Sequence, residues 1–448
     1  MTEMTSTAHD RENPSTNALD KDVEIQTVHS NSNSDEEIGD GEEKDVEAYP
    51  VVSNNGKGDA VTRTSTKSSW KDPGPPPDGG IGAWTQAILG HLVIMNTWGF
   101  INSFGVFQTY YVGTFTGRLT DAGYFRPVFI IGSLAGVIGV FMASLSTTYW
   151  QLLLAQGVCC GLGNGCLFCP SLTILSTYFS KKRSLAIGIA AAGSATGGMI
   201  FPAMVQQLLP RIGFAWTMRS LGFIQLGCLI ICNIGIKPRV PPRRTGELVD
   251  WASFKEVPYV LFAIGMFFNF WGVYFAFYYL GTYARNIIGM PYTSSINLLI
   301  VLNGVGVLGR IVPNYLADRY FGPLNSLIPV VFVTSILCFC WISVSSQGGL
   351  YAWAVIYGIV GAAIQSLFPA TLSSLTTDLR KAGVRMGQVF TIVSFAVLTG
   401  PPIAGELIQR KGGEFEYAQI FAGLDLFVGF IFISAARRTK SKQLRDKM

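Results

Sequence analysis

Charge is what this chain has least of. Only 14% of its 448 residues are Asp, Glu, Lys or Arg, against about 25% in soluble globular domains. Of its 3 histidines, only His91 lies beyond residue 78, and all 8 cysteines sit inside apolar runs. These shortages exclude several classes. Cys166 and Cys169 have metal-like spacing, but no second pair or His cluster accompanies them, so small apolar packing is the expected role. The Gly-rich run 157–165 is not followed by Lys-Ser/Thr, so it is no phosphate loop, and no ATP-driven mechanism is visible. No nucleophile triad or dinucleotide fingerprint occurs. No enzyme activity, metal, cofactor or nucleic-acid partner is therefore expected.

What is present is apolar. Hydrophobic residues make up 49% of the chain, with 50 Gly, 30 Phe, 17 Tyr and 9 Trp. Gly and aromatics together are favoured in polytopic helical membrane proteins. The average hides a split. Residues 1–78 hold 17 acidic and 7 basic side chains, and the remainder holds 11 and 26. The first part is an acidic, cytoplasmic-type tail with too little apolar surface to fold. It lacks a basic start followed by an apolar run, so it does not read as a signal peptide.

A helix needs about 20 apolar residues to cross the hydrocarbon core. From Trp84 onward the runs predict spans at 84–112, 127–147, 150–175, 184–207, 214–236, 257–283, 293–316, 325–345, 350–374, 386–408 and 417–436. Lys and Arg cluster at 181–183, 237–244, 319, 380–385 and 437–442, whereas 148–149 and 346–349 have none. By the positive-inside rule the basic loops and the C-terminus are cytoplasmic. The expected layout is a tail (1–78), a first bundle (79–236), a cytoplasmic linker (237–256), a second bundle (257–437) and a basic tail (438–448).

The two halves look duplicated. Arg118-Leu119-Thr120-Asp121 echoes Tyr315-Leu316-Ala317-Asp318, the two Asp standing 197 residues apart. Pro170 with Pro369 and Pro202 with Pro401 are each 199 apart. Duplicated halves are common in secondary transporters. The offset fails once: Tyr110-Tyr111 resembles Tyr278-Tyr279 at only 168. The first half is therefore about one helix short before Asp121. Eleven spans would also place the termini on opposite faces. A lost second helix, from a splice variant or a gene-model error, is the expectation.

Gly117-Arg118-Leu119-Thr120-Asp121-Ala122-Gly123-Tyr124-Phe125-Arg126 resembles the loop signature of the major facilitator superfamily. Within it the chain resembles the fungal monocarboxylate-porter-like branch, which includes riboflavin and monocarboxylate carriers. Asp78-Gly79-Gly80 matches that branch's opening motif. The run Tyr178-Phe179-Ser180-Lys181-Lys182-Arg183-Ser184-Leu185-Ala186-Ile187-Gly188 to Gly193 matches its longer second motif, and Gly400-Pro401-Pro402-Ile403-Ala404-Gly405 its eleventh helix. The resemblance covers roughly 75–437. It implies an all-α polytopic membrane protein of two pseudo-repeated helical bundles, here with about eleven of the usual twelve spans. A small organic solute, often a carboxylate, would bind between the bundles at the midplane and cross by alternating access. Import of a monocarboxylate or riboflavin-type solute and export of a secondary metabolite both remain open. So do a non-transporting sensor and a variant inactivated by its lost helix. The plasma membrane is the expected location.

Arg310 leads the candidate residues. A charge inside a span is costly, so it should face the bundle interior, where a guanidinium can grip a carboxylate through two parallel hydrogen bonds. The resemblance makes this position the substrate-carboxylate arginine. Gly306 stands where animal members carry an Asp, and Asn102 where they carry a Lys. Asn102 and Phe368 join Arg310 as substrate-binding candidates. Trp98, Phe107, Trp271 and Phe275 are further candidate lining aromatics. Asp425, mid-span, and His91 are the candidates for proton coupling. Asp121 with Arg126, and Asp318 with Arg319, are expected to latch adjacent helices on the cytoplasmic side and so gate the cycle.

Overall fold

In hydrocarbon every backbone N–H and C=O must be satisfied internally, so a chain of long apolar runs separated by short polar loops can cross only as helices. The computed structural model describes residues 74–99, 112, 115–241, 249–376, 378 and 381–440. Among these residues there is no strand, and nine helical stretches are long and apolar enough to cross a membrane.

Helix α1 spans Gly80–Trp98. The described part of α2 covers 115–121, and α3 follows at Phe125–Leu145. Helix α4 runs Tyr149–Tyr178, with a π-helical stretch at Leu153–Cys159. The helical stretch Arg183–Gly235 breaks at Gly213, so α5 is 183–212 and α6 is 214–235. The second half contains α7 (Val257–Asn286), α8 (Tyr292–Phe321), α9 (Pro323–Trp341), α10 (Gln347–Leu375), α11 (Ala382–Arg410) and α12 (Glu416–Lys440). Gly213 adopts φ 72°, ψ 174°, so one glycine turns the chain from α5 into α6 in a conformation that a residue with a Cβ resists.

Each half packs mainly on itself. Helices α1, α3, α4, α5 and α6 form one bundle, and α7 to α12 the other. Helix α3 shows how burial sorts the sequence. It buries Phe129, Gly132, Gly136 and Val140, and turns Ile130, Ile131, Leu134, Ile138 and Met142 outward, as lipid requires.

The described basic clusters at 181–183, 237–239 and 381–385 are tied into loop contacts at the starts of α5, α7 and α11. Asp78 accepts from the Ser180 and Lys181 amides, the latter at 2.7 Å. Arg239 donates to the Thr177 carbonyl (3.0 Å) and the Gly74 carbonyl (2.6 Å). Arg385 forms a two-pronged pair with Glu256 (2.9 and 2.6 Å), and Lys381 pairs with Asp250 (3.1 Å). Arg437 donates to Asn325 at 2.6 Å. The face formed by these loops carries the Lys and Arg clusters, as the loop pattern predicts, while Arg211, Arg285, Arg410 and Lys411 stand singly or in pairs at the opposite ends of their helices.

Two expectations change here. Helix α1 ends at Trp98 instead of running to 112. It also leaves the basic face, where Asp78 is held, while Asp121 at the end of α2 is back on that face. The chain thus returns between α1 and α3, and the start of α1 and the end of α12 share a face. A helical segment occupies the second helix's place in the order; residues 100–111 and 113–114 before it lie outside the described set. Helix α1 has 19 residues, whereas its second-half counterpart α7 has 30.

Candidate functional site

The two halves meet along α5 and α8, where small residues let the backbones touch. A Cβ on Gly188 would collide with the Arg310 carbonyl, and one on Gly198 with the Asn303 side chain. Beside this seam lies a cavity of about 330 Å³, part of it open to solvent. The first half lines it with Ile94, Trp98, Phe168, Leu172, Ala191 and Ser194. The second half supplies Tyr274, Arg310, Gln365 and Pro369.

Among the described residues, Arg310 brings the only charge to this wall. It is 2% exposed. One terminal nitrogen donates to the Gly306 carbonyl at 3.2 Å, and the other to Gln365 Oε1 at 2.8 Å. Its Nε has no hydrogen-bond partner, and among the described residues no carboxylate lies within ion-pair distance of it. A guanidinium removed from water with neutral partners alone is an open demand for an anion. Gly306 makes this posture possible: a Cβ there would stand 2.8 Å from the guanidinium. One turn on, Asn314 donates to the Arg310 carbonyl and to Ser366 Oγ, both at 2.7 Å, a second polar rung between α8 and α10.

The remaining candidates fall in different places. Asn102 and Phe107 lie outside the described residues. Phe368 does not line the cavity; it is 1% exposed and packs on Phe390 (4.9 Å), Phe270 (5.1 Å) and Phe262 (6.0 Å), so that its neighbour Pro369 forms the wall instead. Phe275 is likewise core, against Trp341, and Trp271 donates to Thr399 Oγ1 at 3.0 Å. His91 Nδ1 is 2.8 Å from the Ile189 carbonyl; an oxygen that only accepts makes that nitrogen the donor and ties α1 to α5. Asp425 is buried on α12, which packs against α7 and α9, and its Oδ2 has no hydrogen-bond partner; it does not line the cavity.

The loop carboxylates reach further than adjacent helices. Asp121 accepts from the Gly383 and Val384 amides (3.2 and 3.0 Å) at the start of α11. Asp318 accepts from the Ser184 and Leu185 amides (3.0 and 2.7 Å) at the start of α5. Each carboxylate from one half thus meets free N–H groups at a helix start in the other half, where the helix dipole also favours negative charge. Arg183 adds a bond to the Ser373 carbonyl across the same seam at 3.2 Å. Arg126 donates to the Asn233 carbonyl, and Arg319 to the Tyr315 hydroxyl at 2.7 Å.

Gln365, Tyr274, Phe168 and Ser194 were not singled out from sequence. Gln365 had a usable signal, an amide in the middle of the 29-residue apolar helix α10, four residues before Pro369.

Duplicated bundles that share a cavity along their seam and are tied together at one face define a membrane solute transporter. The sequence profile of the Major Facilitator Superfamily matches residues 84–379. An MFS-type transporter of Gibberella zeae is 49% identical over 397 residues, 83% of this chain and 90% of that protein. The aspyridones efflux protein of Emericella nidulans is 33% identical over 81% of this chain and 79% of its own length. The human organic anion transporter MFSD10 (TETRAN) shares the fold, with a TM-score of 0.64 at 12% identity, over 79% of this chain and 98% of that one. The chain belongs to the Major Facilitator Superfamily.

Proposed function

We propose that the chain is a secondary active transporter of the monocarboxylate-porter-like branch, exporting a small organic acid across the plasma membrane by alternating access. The observation that carries the substrate class is Arg310: a buried guanidinium on the cavity wall whose Nε lacks a partner and whose bonded partners are neutral. A carboxylate entering the cavity meets a fixed positive charge in a low-dielectric site, where the interaction is stronger than in water. Export as the direction rests on the efflux protein among the relatives. Asp121 and Asp318 act as paired latches that close the cytoplasmic face, and Asp425 as the group that couples transport to protons.

The test is Arg310→Ala in reconstituted vesicles, with surface expression as the control for folding. The variant should reach the membrane and lose carboxylate transport by about 100-fold, the scale for truncating one partner of a buried charged contact. Unchanged carboxylate flux in that variant refutes the substrate class.

A further inference from the structure

We propose that Gln365 is the second acid-binding residue of the cavity: its oxygen sets the Arg310 guanidinium in place, and its amide hydrogens meet the same substrate acid. This rests on the acid-transporter reading above and adds the residue that keeps Arg310 selective. Gln365 lies on α10 and Arg310 on α8, and both line the cavity. An Arg310 terminal nitrogen donates to Gln365 Oε1 at 2.8 Å. A guanidinium only donates, so this contact settles which end of the amide faces it: the oxygen is turned to Arg310, and the Nε2 hydrogens are left for another acceptor. Nε2 has no hydrogen-bond partner among the described residues, and Gln365 is half-buried on the cavity wall. Asn314 and Ser366 form the next rung at 2.7 Å, so two bonds one turn apart set the register of α8 against α10.

The choice of an amide is what carries the inference. A carboxylate of the same length and shape would close an ion pair and relieve the cost of burying Arg310. The amide holds the guanidinium without cancelling its charge. Each terminal nitrogen of Arg310 spends one hydrogen on a neutral oxygen, which leaves its other hydrogen and the Nε hydrogen unspent. The wall therefore presents donors from two helices and, among the described residues, no carboxylate. An incoming carboxylate has lone pairs for both side chains and makes the stronger, charge-assisted bonds. A carboxamide of the same size brings one oxygen and an NH2 group that finds no match there.

The test uses the purified full-length chain, with radiolabelled acetate, benzoate and cinnamate as probes and each unlabelled carboxamide as competitor. Gln365→Met keeps the volume and removes both the acceptor and the donor. It should weaken the bound acid by about 10-fold, the scale of one hydrogen bond to a charged group. Gln365→Glu gives Arg310 a stronger partner, so the variant should melt no lower than the unaltered chain. It should nevertheless lose acid binding by about 100-fold, the scale of a cancelled charge contact, and the carboxamide should then compete better than the acid. A residue that merely props Arg310 predicts the opposite, because the ion pair props it at least as well. Acid binding within twofold of the unaltered chain in either variant overturns the inference and leaves the acid reading standing. If the unaltered chain prefers none of the three acids to its carboxamide, the acid reading falls and this inference with it.

Discussion

The two halves share a topology but hold themselves together differently. The second half is built on stacked aromatics: Trp341 on Trp353 at 4.4 Å and Trp353 on Tyr357 at 4.6 Å, with the Trp353 indole donating to the Leu337 carbonyl and the Tyr357 hydroxyl to the Val273 carbonyl. It also carries Arg310, Gln365 and Asp425 inward. The first half closes on small residues, a device the second half also uses where Gly309 meets the Ile359 carbonyl and Gly358 the Leu302 carbonyl. Gly193 lies so near the His91 carbonyl that a Cβ would overlap it, and Gly99 meets Gly197 in the same seam. The lesson is a division of labour. The half with the stacked aromatics carries the cavity's charge, and the other half meets it through small residues at Gly188 and Gly198.

The largest effect is expected where the first half's contacts are tightest. Gly193→Val places a branched side chain against the α1 backbone, with no flexible atom to yield. It should destabilise the protein by about 3 kcal/mol, the upper range for overpacking, seen as lost yield and earlier thermal unfolding in detergent. Normal yield and melting would mean that close backbone contact is not what closes this half.

Proton coupling sharpens the comparison next, because each half offers one candidate. Asp425, in the second half, has an unpartnered Oδ2, whereas His91, in the first, already bonds the Ile189 carbonyl. Asp425→Asn should preserve substrate exchange between vesicles of equal pH and reduce accumulation driven by a pH gradient by about 10-fold, equivalent to about 1.4 kcal/mol of lost coupling. His91→Gln should leave both within twofold. The reverse pattern would move proton coupling to the first half.

How much of this was legible in the sequence depended on the signal's length. Apolar runs of some 20 residues and the 197-residue spacing of Asp121 and Asp318 are patterns over many positions, and they located the helices and the two loop carboxylates that bond across the halves. The end of α1 was not legible, because the residues after Trp98 continue the apolar run and hydropathy carries no mark where a helix stops inside it. Arg310 stood out as a lone charge, and it does line the cavity. The aromatic wall did not, because every helix is rich in rings. Trp271 and Phe275 were named from α7, yet Tyr274 between them faces the cavity, a difference of about 100° per residue around the helix. The partners of Asp121 and Asp318 were also hidden. Backbone amides at a distant helix start leave no mark in the side-chain sequence.

Those latches give the smallest effect and the closest test of symmetry, since here the halves are equivalent. Each carboxylate accepts from two amides at a helix start across the seam. Losing such a cap costs about 1 kcal/mol, roughly a fivefold change in a local equilibrium. Asp121→Ala should speed hydrogen exchange about fivefold at the start of α11 alone, and Asp318→Ala at the start of α5 alone. The two carboxylates accept from different amides on different helices, so the double variant should show both changes added in free energy and should favour the state open at the basic face. If removing Asp318 loosens α5 while removing Asp121 leaves α11 unchanged, closure is governed from one side only, and the division between the halves extends to the gate as well as to the substrate cavity.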